Sequence, residues 1–129
     1  MPVYLEHITQ PTESDWIDLE KIYTKSPKKW LVENDNSWFI AGRFNSRLLG
    51  AVLAEKTANN ITLNYFCVRE ITRNRGVAHQ MLHHINRWAD NNGYTIIIQD
   101  LPESLSDNLI KRGFLQEGNN TIRTPTLIG

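Results

Sequence analysis

Ile61-Thr62-Leu63-Asn64-Tyr65-Phe66-Cys67-Val68, followed after a short interval by Arg73-Asn74-Arg75-Gly76-Val77-Ala78, is the stretch that decides how this chain folds. The first segment reads as an apolar strand, and from Gly76 onward Val77, Met81, Leu82, Ile85 and Trp88 recur at helical spacing. The residues between form a flexible, cationic turn at a helix N-terminus. Backbone N–H groups there have no intrahelical acceptor and lie at the positive end of the helix dipole, so a pyrophosphate can be held largely by main chain. Arginines add charge-assisted hydrogen bonds, Gly76 allows positive φ or close backbone approach, and Ala78 is small enough to leave room.

The rest of the chain sets the bounds. With 129 residues, 40% of them hydrophobic, it fits one compact domain with its own core. Fourteen basic residues balance fourteen acidic ones and are dispersed, so no global field favours nucleic acid or an anionic membrane. Any phosphate site must be local. Cys67 is the single cysteine, which excludes an intramolecular disulfide framework and suits a reducing compartment. Met1 to Gln10 has no basic segment leading into an apolar run, and nowhere are about 18 consecutive residues apolar. The expectation is a soluble, cytoplasmic protein.

Working outward from the decisive stretch, Val3 to Ile8 alternates as a first strand. Pro11-Thr12-Glu13 opens a helix carrying Trp16, Ile17, Leu19, Ile22 and Tyr23, with Thr12 as N-cap and Asp15 three residues on. Ser26-Pro27 is expected to interrupt that helix, because Pro27 lacks an N–H and restricts its predecessor. A short turn or helix through Trp30 and Leu31 follows. Trp38 to Phe44 and Arg47 to Glu55 read as strands joined at Asn45-Ser46, a compact hairpin with one residue tolerant of positive φ. Asn59-Asn60 marks the next turn, and Asn91-Asn92-Gly93 stops the long helix. Tyr94 to Gln99 is a buried strand, parallel to Ile61–Val68 if the helix between is a crossover. Ser104 or Ser106 caps a last helix ending at Gly113, and a small hairpin follows around Gly118-Asn119-Asn120. The order is βα(α)βββαβαββ.

Arg73-x-x-Gly76-x-Ala78 in this strand-turn-helix setting resembles the acyl-CoA signature of the GCN5-related N-acetyltransferase (GNAT) superfamily, and Gly113-Phe114 resembles the turn into its penultimate strand. The fold implied is a single GNAT-like α/β domain over residues 1–129, with a mixed central sheet flanked by helices and two central parallel strands that splay to admit pantetheine. Within that superfamily the chain is similar to the small aspartate 1-decarboxylase autocleavage activators, the PanM/PanZ family. That similarity runs from about Asp18 to Phe114. It is tightest at Ile17-Asp18-Leu19 with Lys21-Ile22, at Arg43-Phe44-Asn45 with Arg47-Leu48-Leu49, and from Val68-Arg69-Glu70 through Thr72-Arg73 to Arg75-Gly76-Val77.

The resemblance implies a regulatory activator that binds acetyl-CoA or CoA and promotes self-cleavage of the decarboxylase precursor to its pyruvoyl form, reporting on CoA biosynthesis. It places Phe66, Cys67, Val68, Thr72, Arg73, Asn74, Arg75, Gly76, Val77, Ala78 and His79 around the cofactor. Arg43, Asn45, Arg69 and Glu70 would face the protein partner, as polar residues at or beyond strand ends. The bland alternative for these charges, and for Arg47, is a solvated loop.

The competing reading is a small-molecule or protein N-acetyltransferase, and a third is a CoA-binding sensor with another partner. Acetyl transfer needs a proton route and often an acid for the departing thiolate. In many GNAT enzymes that acid is a tyrosine four residues before the Gly-Phe pair, where this chain has Leu109. Tyr65 could substitute, and Glu55 or Glu70 could act as base, but a surface carboxylate is more often only solvated. Cys67 alternates with Ile61, Leu63 and Tyr65, which favours packing as a small hydrophobe over nucleophilic catalysis. His79 and His83 share a helix face but lack an acidic motif to complete a metal site, so no metal is expected. Trp16, Trp30, Trp38 and Trp88 are scattered, which suits packing better than a stacking platform for single-stranded nucleic acid.

Overall fold

Leu48 to Ala54 is buried without interruption in the computed structural model, which describes residues 3–24, 27–30, 36–69, 76–99, 113–118 and 120–125. A strand covered on both faces reads as a continuous apolar run, and this one lies well inside the sheet. It belongs to β3 (Arg47–Thr57), which follows β1 (Tyr4–Ile8), α1 (Glu13–Tyr23), a single 3₁₀ turn at Lys28–Trp30, and β2 (Ser37–Phe44). Beyond it come β4 (Asn60–Val68), α2 (Val77–Asn92), β5 (Thr95–Gln99), β6 (Leu115–Glu117) and β7 (Asn120–Arg123). The strands form one seven-stranded sheet in the order β1-β2-β3-β4-β5-β7-β6. All neighbours are antiparallel except β4 and β5, the pair that α2 connects.

The described elements follow the expected order, and the helix expected from Ser104 or Ser106 to Gly113 lies outside the described residues. Thr12 caps α1 as anticipated: its hydroxyl accepts the Asp15 N–H at 3.1 Å and the Asp15 carboxylate accepts the Thr12 N–H at 3.2 Å. The helix stops earlier than Pro27 requires. Thr24 turns left-handed (φ 57) and donates its N–H to Glu20, ending the helix at Tyr23. Pro27 instead opens the 3₁₀ turn, its carbonyl accepting the Trp30 N–H at 3.1 Å.

Two apolar clusters sandwich the sheet. On one face α2 sets Val77, Met81, Leu82, Ile85 and Ala89 against Ile40, Val52, Ile61, Leu63, Phe66, Ile96, Ile98 and Phe114. On the other, α1 sets Leu19, Ile22 and Tyr23 against Phe39, Ala41, Leu48, Ala51 and Leu53. The tryptophans all join this packing: Trp16 and Trp30 lie against the α1-side cluster, Trp38 and Trp88 against the α2-side cluster. The C-terminal hairpin is tied down by Arg123 of β7, whose guanidinium meets the Asp90 carboxylate of α2 in two bonds of 2.7 and 2.9 Å.

The height of α2 above the sheet is set by two glycines. Gly42 and Gly50 are cross-strand partners on β2 and β3. A Cβ on Gly50 would stand 2.8 Å from Met81 Sδ, and one on Gly42 would stand 2.6 Å from Val3 Cγ1 and 3.1 Å from Met81 Cγ. Met81 therefore packs directly on bare backbone, which brings the first turns of α2 down beside the end of β4. Gly50→Ala should cost about 1–3 kcal/mol by overpacking, measured by denaturant unfolding. Combined with Met81→Ala, it should cost less than the sum of the two single changes, because the second change makes room for the first.

Candidate functional site

The site is organised by a break in β4. Between the pairs Leu53–Asn64 and Ala51–Cys67 the strand holds one residue more than β3 opposite it. Tyr65 takes up this bulge in a left-handed conformation (φ 58). The extra residue reverses the alternation that sequence suggests. Ile61 and Leu63 are followed on the α2 face by Phe66, whereas Tyr65 is 45% exposed and Cys67 turns to the α1-side cluster. Cys67 is thus still a packing residue, but not on the face shared by Ile61 and Leu63. Its thiol donates to the Ile22 carbonyl at 3.2 Å. Tyr65 stacks on Trp30, ring centroids 4.0 Å apart and planes within 4°. The parallel ladder to β5 runs only from Asn60–Thr95 to Leu63–Ile98. Past the bulge, β4 continues to Val68 with β3 as its ladder partner, while β5 ends at Gln99.

Beside the last residues of β4 stands the N-terminus of α2. Gly76 is its N-cap, left-handed at φ 79, with no capping side chain and no acid in the first turn. The contrast with α1, whose first turn carries Glu13 and Asp15 and a closed capping box, is electrostatic. One helix end is neutralised internally; the other, among the described residues, carries no acid in its first turn to offset its positive pole. A Cβ at Gly76 would meet nothing within 4 Å, so backbone conformation rather than crowding selects glycine there. Phe66, Val68, Val77 and Ala78 come together in and around one cluster. His79 is partly exposed on the first turn of α2. Thr72, Arg73, Asn74 and Arg75 lie outside the described residues, as do Glu70 and Leu109. The first-turn amides of α2 suit an anionic group such as a phosphate.

The residues expected to face a partner lie about the start of β3, close to where it pairs with the end of β4. Asn45 and Ser46 form the β2–β3 turn, and both are left-handed (φ 49 and 67), where one was expected. The flanking arginines are both ion-paired, Arg43 largely covered and Arg47 with its side chain still 47% exposed. Arg43 donates to Glu6 and Asp15, and Arg47 grips Asp18, whose side chain is 1% exposed. Asp18 also accepts the Leu48 N–H at 3.1 Å. Arg69 is joined to the same strand by its N–H, which donates to the Leu49 carbonyl at 2.7 Å. Glu6, Asp15 and Asp18 were not singled out by sequence as site residues. The available signal was a pair of acids on the helical face that also carries buried Ile22.

Among the described residues no group of three or more His, Cys, Asp or Glu side chains could hold a metal ion, and no helix is long and apolar enough to cross a membrane. Tyr23 Oη and Asn86 Oδ1 are buried with no hydrogen-bond partner among the described residues.

A seven-stranded mixed sheet with one central parallel pair, bridged by α2 and covered by helices on both faces, is the GNAT fold. The ribosomal-protein-S18-alanine N-acetyltransferase of Escherichia coli superposes with TM-score 0.80 over 99% of this chain and 97% of its own, and at 10% identity shows the fold alone. The candidate N-acetyl transferase YhhK of E. coli, solved in solution bound to coenzyme A, matches with TM-score 0.74 and 26% identity over 96% of this chain and 99% of its own. The PanZ acetyltransferase (GNAT) domain profile matches residues 2–117, and the chain belongs to that family. The PanD regulatory factor of E. coli K12 is 38% identical over 76 residues, 59% of this chain and 60% of that protein. Its Salmonella typhimurium LT2 counterpart is 37% identical over 83 residues, 64% and 63%. The chain thus spans about three fifths of the length of the curated relatives it matches.

The acids beneath the turn have a pH signature. Burial alone would push the Asp15 and Asp18 carboxyls up, but the hydrogen bonds and charge of Arg43 on one, of Arg47 on the other, and the Thr12 and Leu48 N–H groups together hold both below the usual value. A carboxyl depressed on folding contributes stability above its unfolded pKa and loses it as pH falls through the folded one. Stability should therefore fall from about pH 5 downward. Thermal melts across that range should show a shallower fall for Asp18→Asn than for the parent.

Proposed function

We propose that this chain is a coenzyme A-dependent regulator of PanD, binding acetyl-CoA or CoA and promoting self-cleavage of the aspartate 1-decarboxylase precursor to its pyruvoyl form. The observation that carries this reading is the family match, since it spans both the α2 N-terminus and the Asn45–Ser46 hairpin, and both curated relatives are named for PanD.

In this reading the pyrophosphate is held by the amides of Val77, Ala78 and His79 at the helix end, with Arg73 and Arg75 supplying charge and Thr72, Asn74 and Gly76 completing the turn. Pantetheine runs along Phe66, Cys67 and Val68, where β4 leaves β5. Cys67 contributes backbone there, because its thiol is engaged with the Ile22 carbonyl on the opposite face. Asn45, Arg69 and Glu70 belong to the surface that meets the precursor, with Arg43 behind the Asn45–Ser46 turn, and β3 joins that surface to β4 through the Gly50–Val68 pair and the Arg69–Leu49 bond. The chain contributes recognition and coupling, and the bond broken belongs to the partner.

The direct test follows cleavage of purified precursor alone, with this chain, with acetyl-CoA or CoA, and with both together. Cleavage should accelerate about tenfold or more only when protein and nucleotide are both present, within the usual range of coupling between sites. Gly76→Val, which forces a β-branched residue to positive φ, should remove the nucleotide requirement's benefit. Unchanged cleavage in every arm would overturn the reading, and unchanged cleavage with multiple-turnover acetylation of an amine would replace it by acetyl transfer.

A further inference from the structure

Arg43 divides its guanidinium among three separate pieces of chain. Nε donates to Glu6 on β1, Nη2 donates to Asp15 on α1 at 2.9 Å, and Nη1 donates to the carbonyl of Ser46 in the turn at 3.0 Å. On the other side of the turn, Arg47 holds Asp18 while Asp18 holds the Leu48 N–H. Between these two anchors, Asn45 and Ser46 are both left-handed. Asparagine tolerates that region, but the second position of such a turn ordinarily calls for glycine. A serine there is strained, and such strain persists where the surroundings over-determine the backbone. The surroundings here are the Arg43 and Asp18 bonds.

We propose that Arg43 is a positioning residue: it presets the Asn45–Ser46 turn in the form a protein partner reads and makes no contact of its own with that partner. This rests on the reading of the hairpin as the partner-facing surface. Three of the five guanidinium donors are committed, and the Arg43 side chain is only 26% exposed. Asp15, 8% exposed, depends on it for charge compensation. Drawing Arg43 out to a partner would leave that carboxylate buried and unpaired and would release the turn. Asn45 is the opposite case: it is exposed at the tip, and its side chain makes no hydrogen bond to a described residue. Holding the tip in one conformation before encounter removes an ordering cost from binding, so Arg43 can strengthen a complex it does not touch.

The test measures binding of the full chain to the decarboxylase precursor by calorimetry with acetyl-CoA present, and checks each variant's fold by its thermal melt. Arg43→Ala should weaken binding about tenfold or more, and Arg43→Lys, which keeps the charge but loses the fork, should weaken it nearly as much. Adding Ser46→Gly to either should restore binding to within about threefold of the parent, because glycine supplies the left-handed preference that Arg43 otherwise imposes. If Arg43→Ala does not fold, the lysine pair decides. Failure of Ser46→Gly to restore binding, or near-parental binding by Arg43→Lys alone, would overturn the proposal in favour of direct contact. Asn45→Ala separates the two layers. If it leaves binding unchanged, the hairpin is not the partner surface; if it weakens binding while the rescue fails, only the positioning role falls.

Discussion

The rest of the site depends on the extra residue that β4 accommodates at Tyr65. A strand that stayed in phase would carry Tyr65 and Cys67 on the same face as Ile61 and Leu63. The bulge instead delivers Phe66 to the α2-side core, sends Cys67 to the α1 side, and puts Tyr65 against the ring of Trp30. It also coincides with the end of the β5 ladder at Leu63–Ile98. Beyond the bulge the second half of β4 pairs, among the described residues, with β3. The first turn of α2, lowered by Met81 onto the bare backbones of Gly42 and Gly50, stands beside that second half.

β3 links this end of β4 to the hairpin. Its first residues leave the Asn45–Ser46 turn and within a few positions pair with the far end of β4, where Gly50 faces Val68 and Leu49 accepts from Arg69. The proposed nucleotide and partner surfaces are thus attached to one strand, without an intervening loop. Contiguity of this kind is a physical route for coupling and not by itself a measure of it. The two ends differ in how they are prepared. Among the described residues the helix end has no acid in its first turn and no capping side chain, while the hairpin end is closed by ion pairs to Glu6, Asp15 and Asp18.

What sequence made legible was local. The strand-turn-helix around Gly76 could be read because apolar spacing changes from strand to helical period within one stretch, and the Thr12–Asp15 box because its partners are three residues apart. The parallel pairing of β4 and β5 followed from the helix between them. The Tyr65 bulge was hidden because cross-strand register against β3 sets it, and no glycine marks it. The arginine partners were hidden for a related reason: Arg43 reaches Glu6 and Asp15 across sequence separations of 37 and 28, and Arg47 reaches Asp18 across 29. The Arg47 charge therefore looked only solvated when it also fastens the hairpin to α1.

The central claim is that nucleotide and partner are thermodynamically coupled through this fold, and linkage makes it measurable in either direction. Titrating coenzyme A into the chain alone and into its complex with the decarboxylase precursor, and titrating precursor with and without coenzyme A, closes a cycle. The account predicts that each ligand strengthens the other by the same factor, on the order of 5–150-fold. Equal coenzyme A affinity with and without the precursor would contradict it.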